Sequence, residues 1–148
     1  MSGSVSGTVY VGGVVGAQWG GSITGCSSSA TVKGMVDVGG VVGQVNGTTI
    51  TLTACYATGN VTSTGSSTGK VHIGGFLGDN YTTVTACYWK NNHKQSTGYN
   101  DKATEATKVD GTEVTWQKAV DAMNTALQNA GSEWRYELTG ALPTLRKQ

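Results

Sequence analysis

The chain has almost no proline: a single residue, Pro143, in 148. That scarcity excludes polyproline recognition segments and stiff proline-rich linkers. Charge is scarce too. Asp, Glu, Lys and Arg make up 13% of the residues and nearly cancel, leaving a net charge of +1. So neutral a chain offers no field to draw in nucleic acid or an anionic membrane surface. No apolar run is long enough to cross a bilayer as a helix. The opening residues, MSGSVSGTVY, lack the basic stretch and apolar core of a signal peptide. Cysteine occurs three times, as Cys26, Cys55 and Cys87, an odd count that cannot pair completely. Their spacing of about thirty residues fits no metal motif.

Glycine is what the chain has in abundance, with 23 residues, set among valine and threonine. β-Branched residues favour strands and glycine favours tight backbone turns, so the composition is all-β. The glycines are also ordered. VGGVVG occupies residues 11–16 and again 38–43, and IGGFLG occupies 73–78. A block used three times marks an internal repeat. Val5, Val32 and Val61 each open a unit, and Gly12-Gly13, Gly39-Gly40 and Gly74-Gly75 hold the corner of each. The third unit is longer, and its extra residues fall in TSTGSSTG (62–69), which reads as a surface loop. After each block comes a polar turn and then SITGC, TLTAC or TVTAC. Ile23, Leu52 and Val84 alternate there with the small residues Gly25, Ala54 and Ala86, which is a strand pattern. The small residue marks a bend, after which the cysteine turns inward.

A unit of two or three short strands cannot bury its own apolar face, but stacked units can. The expected fold is a parallel β-solenoid, most simply a right-handed β-helix of about three repeats, rising ~4.8 Å per coil. A β-sandwich also accommodates strands and glycine turns; the three matching columns favour the solenoid. From Thr115 the period changes. Trp116, Ala119, Val120, Met123, Leu127 and Ala130 fall on one helical face, with Thr115 as N-cap and Gly131 just past the end. Trp134, Tyr136 and Leu138 then alternate as a strand. The organisation expected is a repeat region over 1–95, followed by a linker, helix and strand over 96–148 that cap the solenoid. The chain starts inside a repeat, so an uncovered N-terminal coil is expected to allow self-association.

GGVVG, GGVVG and GGFLG, each followed by a cysteine strand, together with CYATGNV (55–61), resemble the GLUG-motif repeats of bacterial surface proteins. CYWKNN (87–92), STG (96–98), Trp134 and the terminal LPTL (142–145) are similar to the ends of such arrays. The resemblance implies a secreted or surface-exposed bacterial protein with an adhesin-like or host-interaction role. Some immunoglobulin A peptidases carry these repeats beside a zinc protease domain, but no HExxH motif occurs here.

The residues themselves offer little chemistry. Cys26, Cys55 and Cys87 share one repeat position and read as a buried thiol ladder rather than a redox or metal centre. His72 and His93 have no carboxylate at motif spacing and are expected at the surface, without ligating a metal. The carboxylates Asp37, Asp79, Asp101, Glu105, Asp110, Glu113, Asp121, Glu133 and Glu137 are scattered, and no acid–base pair stands out. Asp79-Asn80 and Asn91-Asn92 lack the repetitive context of a calcium-binding β-roll. No nucleophile elbow is present. The expectation is therefore a non-catalytic module with no cofactor and no metal. Exposed aromatics can stack on sugar rings, so Trp19, Tyr81 and Trp89 are the candidate contacts for a glycan or host surface protein. The alternatives are a structural spacer within a larger surface protein and an ice-binding face. The latter would use the ladder formed by Ser22/Thr24, Thr51/Thr53 and Thr83/Thr85.

Overall fold

The computed structural model describes residues 1–47, 49–64, 71–100 and 104–148. Residues 65–69 of the expected surface loop, and Asp101, lie outside the described residues. The first repeat comprises β1 (Ser4–Ser6), β2 (Tyr10–Gly12), β3 (Val15–Gln18), β4 (Ser22–Thr24) and β5 (Ser27–Ser28). The second comprises β6 (Thr31–Gly34), β7 (Asp37–Gly39), β8 (Val42–Val45), β9 (Thr51–Thr53) and β10 (Tyr56–Ala57). The third comprises β11 (Val61–Ser63), β12 (His72–Gly74), β13 (Leu77–Asn80), β14 (Thr83–Thr85) and β15 (Tyr88–Trp89). Five strands thus stand where the sequence pattern gives two or three. The Gly-Gly turn divides one apparent strand and the cysteine bend divides another, and two-residue strands are too short to show a period.

Equivalent strands of successive repeats pair in parallel and in register. Val5 lies beside Val32 and Val32 beside Val61. Val11, Val38 and Ile73 form a second column, and Ile23, Leu52 and Val84 a third. The chain is mostly β with one helix, and its parallel sheets are consistent with a β-solenoid. The apolar columns point inward. Val41, Val42, Leu52, Phe76 and Leu77 are fully buried in the main core, and Val32, Val38 and Val61 in a second one.

The glycine block works by removing side chains where backbones meet. A Cβ on Gly39 would strike the Val42 carbonyl oxygen across the turn. A Cβ on Gly43 would strike the Val11 amide nitrogen and the Asp37 carbonyl oxygen. The strand after the turn therefore packs directly on the backbone of the strand before it. The bend before each cysteine is left-handed: φ is +62° at Gly25, +53° at Ala54 and +48° at Ala86. An alanine held in that region costs roughly 1–2 kcal/mol.

The segment read from sequence as a linker supplies two further strands. β16 (Thr97–Asn100) pairs with β13, and β17 (Thr107–Lys108) pairs with β15. Elsewhere along the third repeat, side chains replace the next strand. Asn92 accepts from the Val61 N–H at 2.9 Å and donates to its carbonyl at 3.0 Å. The Thr104 hydroxyl accepts from the Val84 N–H at 3.0 Å. Strand edges covered in this way cannot recruit another chain.

Helix α1 (Trp116–Asn129) is capped by the Thr115 side chain, which accepts from the Lys118 N–H at 3.3 Å. Gly131 follows its end at φ +72°. Ala119, Val120, Met123, Ala126 and Leu127 form its buried face, whereas Ala130 is exposed. That face packs with Ala54, Tyr56, Ala86 and Tyr88, so the helix lies along the flank of the stack. An antiparallel pair, β18 (Trp134–Glu137) and β19 (Thr144–Lys147), completes the chain where one strand is expected from sequence. Tyr136 donates to the Ala54 carbonyl at 2.9 Å and Tyr56 to the Pro143 carbonyl at 2.6 Å, fastening the pair to the repeats. Among the described residues, no helix is long and apolar enough to cross a membrane.

Candidate functional site

Two neighbouring columns carry the chemistry. The strands leading into the glycine turns align Tyr10, Asp37 and His72. The strands leaving them align Ala17, Gln44, Asp79 and Tyr99. The third glycine of each block draws these columns together. A Cβ on Gly78 would collide with the backbone of Asp37 and Val38. Asp79, the next residue along, is thereby carried to the side of Asp37.

The resulting recess is lined by Val36, Asp37, Gln44, His72, Asp79, Tyr81 and Tyr99. His72 Nδ1 lies 2.9 Å from Asp37 Oδ1 and 3.9 Å from Asp79 Oδ2. Gln44 Nε2 donates to Asp37 Oδ2 at 3.1 Å and to Asp79 Oδ2 at 3.4 Å. Both carboxylates are only 4% exposed. Asp79 Oδ1 is buried without a hydrogen-bond partner; a backbone interaction with Asn80 pulls the carboxyl's pKa down. Burial raises the Asp37 pKa, against the opposing pull of its hydrogen bond with His72. Burial also raises that of Asp79, and the neighbouring Asp37 charge adds to the rise. A pair of buried carboxylates with one imidazole between them holds protons tightly and attracts cations.

Aromatic rings surround this polar floor. The Tyr99 ring lies 5.2 Å from that of His72 and 5.8 Å from that of Tyr81. Trp19 is 72% exposed and donates from Nε1 to Gln44 Oε1 at 3.5 Å. Of the three aromatics singled out in the sequence, Tyr81 lines the recess and Trp19 reaches it only through the Gln44 side chain. Trp89 does neither. It is 2% exposed, packed over Gly75 and beneath the Lys108 ammonium, 5.0 Å from its ring. Tyr88 faces the helix, so alternation along this two-residue strand turns Trp89 into the core.

His72 departs from its expected surface position: it is half-buried and paired with a carboxylate. His93 is half-buried too, its Nε2 3.0 Å from the Val61 carbonyl. Of the two aspartates that meet His72, Asp37 lies 35 residues before it, about one repeat, and Asp79 follows it in the same repeat. The signal was nonetheless present. Asp37 and His72 both sit two residues before the first glycine of their block, and Gln44 and Asp79 both directly follow its last glycine.

The other candidates behave as structure. Cys55 and Cys87 are buried and Cys26 half-buried, all as free thiols. The Cys26 pKa is pushed up by its interaction with the Cys55 thiol and then by burial. Cys55 is pulled down by Cys26, but Cys87 and burial outweigh this and push it up. Thiols held protonated are poor nucleophiles and poor ligands. The threonine columns do align, and Thr51 donates to the Ser22 hydroxyl at 3.1 Å. The ladder is not an open plane, however, because Thr24 lines a cleft with Leu127, Trp134 and Leu145.

Parallel sheets in which equivalent residues of successive repeats share a column define the class: a β-rich repeat protein with a lateral helix. Within that class, residues 4–33 match the family model of the GLUG motif, consistent with the GLUG-motif repeat protein that the resemblance implies. Neither a curated protein nor a solved structure matches the chain.

Proposed function

We propose that this chain is a right-handed β-solenoid module, non-catalytic and displayed outside a bacterial cell, that binds a glycan in the recess between Tyr81, Tyr99 and Trp19. The observation carrying this reading is the pair of Tyr81 and Tyr99 rings beside a floor of Asp37, Gln44, His72 and Asp79, with Trp19 linked to Gln44. Aromatic faces take the apolar side of a sugar ring, and carboxylate and amide groups fix its hydroxyls. Tyr10 and Tyr99 stand at opposite ends of the columns, three strand spacings apart, or ~14 Å. That is the length of a short oligosaccharide.

A glycan array probed with the wild-type chain and with Tyr99→Ala and Trp19→Ala tests this reading. Binding to at least one glycan class is expected, weakened about tenfold by loss of either ring. An array without hits, or hits indifferent to both substitutions, would refute it. The second reading, a spacer that projects another domain, draws support from the unbroken register of the five strand columns. It is the reading left standing if the array is blank.

A further inference from the structure

We infer that Asp37, His72 and Asp79 form a binding site for a first-row divalent cation such as Zn²⁺ or Mn²⁺. One donor atom from each of the three residues lies within 4.8 Å of the other two. In a tetrahedral or octahedral shell with bonds of about 2.0–2.2 Å, adjacent donors stand about 2.8–3.6 Å apart. The 2.9 Å between His72 Nδ1 and Asp37 Oδ1 is already at that spacing. The 3.9 Å between His72 Nδ1 and Asp79 Oδ2 closes with a shift well under ~1 Å.

A second observation points to a ligand. Asp79 is 4% exposed, lines the recess, and keeps Oδ1 without a partner. A buried carboxylate oxygen normally finds a donor, because leaving it unmet costs the full desolvation of the group. A dication held through Oδ2, the oxygen facing His72 Nδ1, neutralises both buried carboxylates and leaves Oδ1 of the same carboxylate available for a bidentate grip. Gln44 spans the two aspartates with its Nε2 and so holds them in position, as outer residues do at metal sites. The imidazole nitrogen sets the cation class. Ca²⁺ prefers six to eight oxygens, whereas mixed imidazole and carboxylate donors suit zinc and manganese. To ligate, Nδ1 presents its lone pair to the metal, so the bound imidazole carries its proton on Nε2. Three protein ligands leave the rest of the shell open toward the recess.

The metal alone is the probe, so the inference stands or falls apart from the glycan reading. The experiment is isothermal titration calorimetry on the reduced, chelator-stripped chain with ZnCl₂, MnCl₂ and CaCl₂. One Zn²⁺ per chain is expected, with Ca²⁺ binding far more weakly. Asp79→Asn and His72→Gln, checked for native circular dichroism, should each lose binding by more than tenfold. Gln44→Ala should weaken it about 10–100-fold. Absence of saturable Zn²⁺ or Mn²⁺ binding by the folded chain overturns the inference. So does a zinc isotherm unchanged in Asp79→Asn, which would place the metal on the thiols or on His93.

Discussion

Asp79 is held in the fold against its own electrostatic interest. Burial and the Asp37 charge raise its pKa above the ordinary carboxylate value of about 3.9. A carboxyl whose folded pKa lies above its unfolded one stabilises the fold when protonated. That contribution is complete below the unfolded pKa and is lost as pH rises through the folded one. At neutral pH the ionised Asp79 is therefore a liability, of the kind often kept for function. Asp79→Asn in metal-free buffer should raise the melting temperature at pH 7 by a few degrees, with the gain vanishing toward pH 4. Thermal denaturation across that range checks it; a variant markedly less stable at pH 7 would show that the carboxylate is structural. The glycines are the converse case, plain in the sequence as a motif but not as a mechanism. Gly39 and Gly43 were readable as corner residues, whereas the backbone contacts that forbid a Cβ there come from the strands packed across the turn.

At the level of elements, the helix has a clear sequence signature and a less legible destination. Its cap, its C-terminal glycine and most of its buried face follow from period and chemistry. Its docking site does not, because the groove is built from Ala54, Tyr56, Ala86 and Tyr88 of different repeats. Lying along the flank, the helix joins repeats that would otherwise meet only through strand pairing. Met123→Ala removes a fully buried side chain at this seam and should destabilise the chain by about 2–5 kcal/mol. Far-UV circular dichroism at helix- and sheet-weighted wavelengths should still show one coincident transition. Separate melting of the helix would mean that it is not part of the same cooperative unit. The 96–109 segment reads as a linker, and its strands escape the pattern for another reason. β17 has only two residues, and Asn92 and Thr104 imitate a strand through single side chains that leave no periodic trace.

For the whole molecule, the repeat both reveals the scaffold and hides the site. Columns of valine, glycine and cysteine are conspicuous because each repeat contributes similar residues. The recess is inconspicuous because each repeat contributes a different one: Tyr10, Asp37 and His72 in one column, and Ala17, Gln44, Asp79 and Tyr99 in the other. The recess itself exists only in the stacked register. Sub-stoichiometric Mn²⁺ added to the ¹⁵N-labelled chain tests that register and the site together, through paramagnetic broadening of backbone amides. The account predicts simultaneous loss of the amide signals around Asp37, Gln44, His72 and Asp79, in two separate stretches of sequence, while those of helix α1 persist. Broadening confined to one stretch, or absent from both, would contradict it.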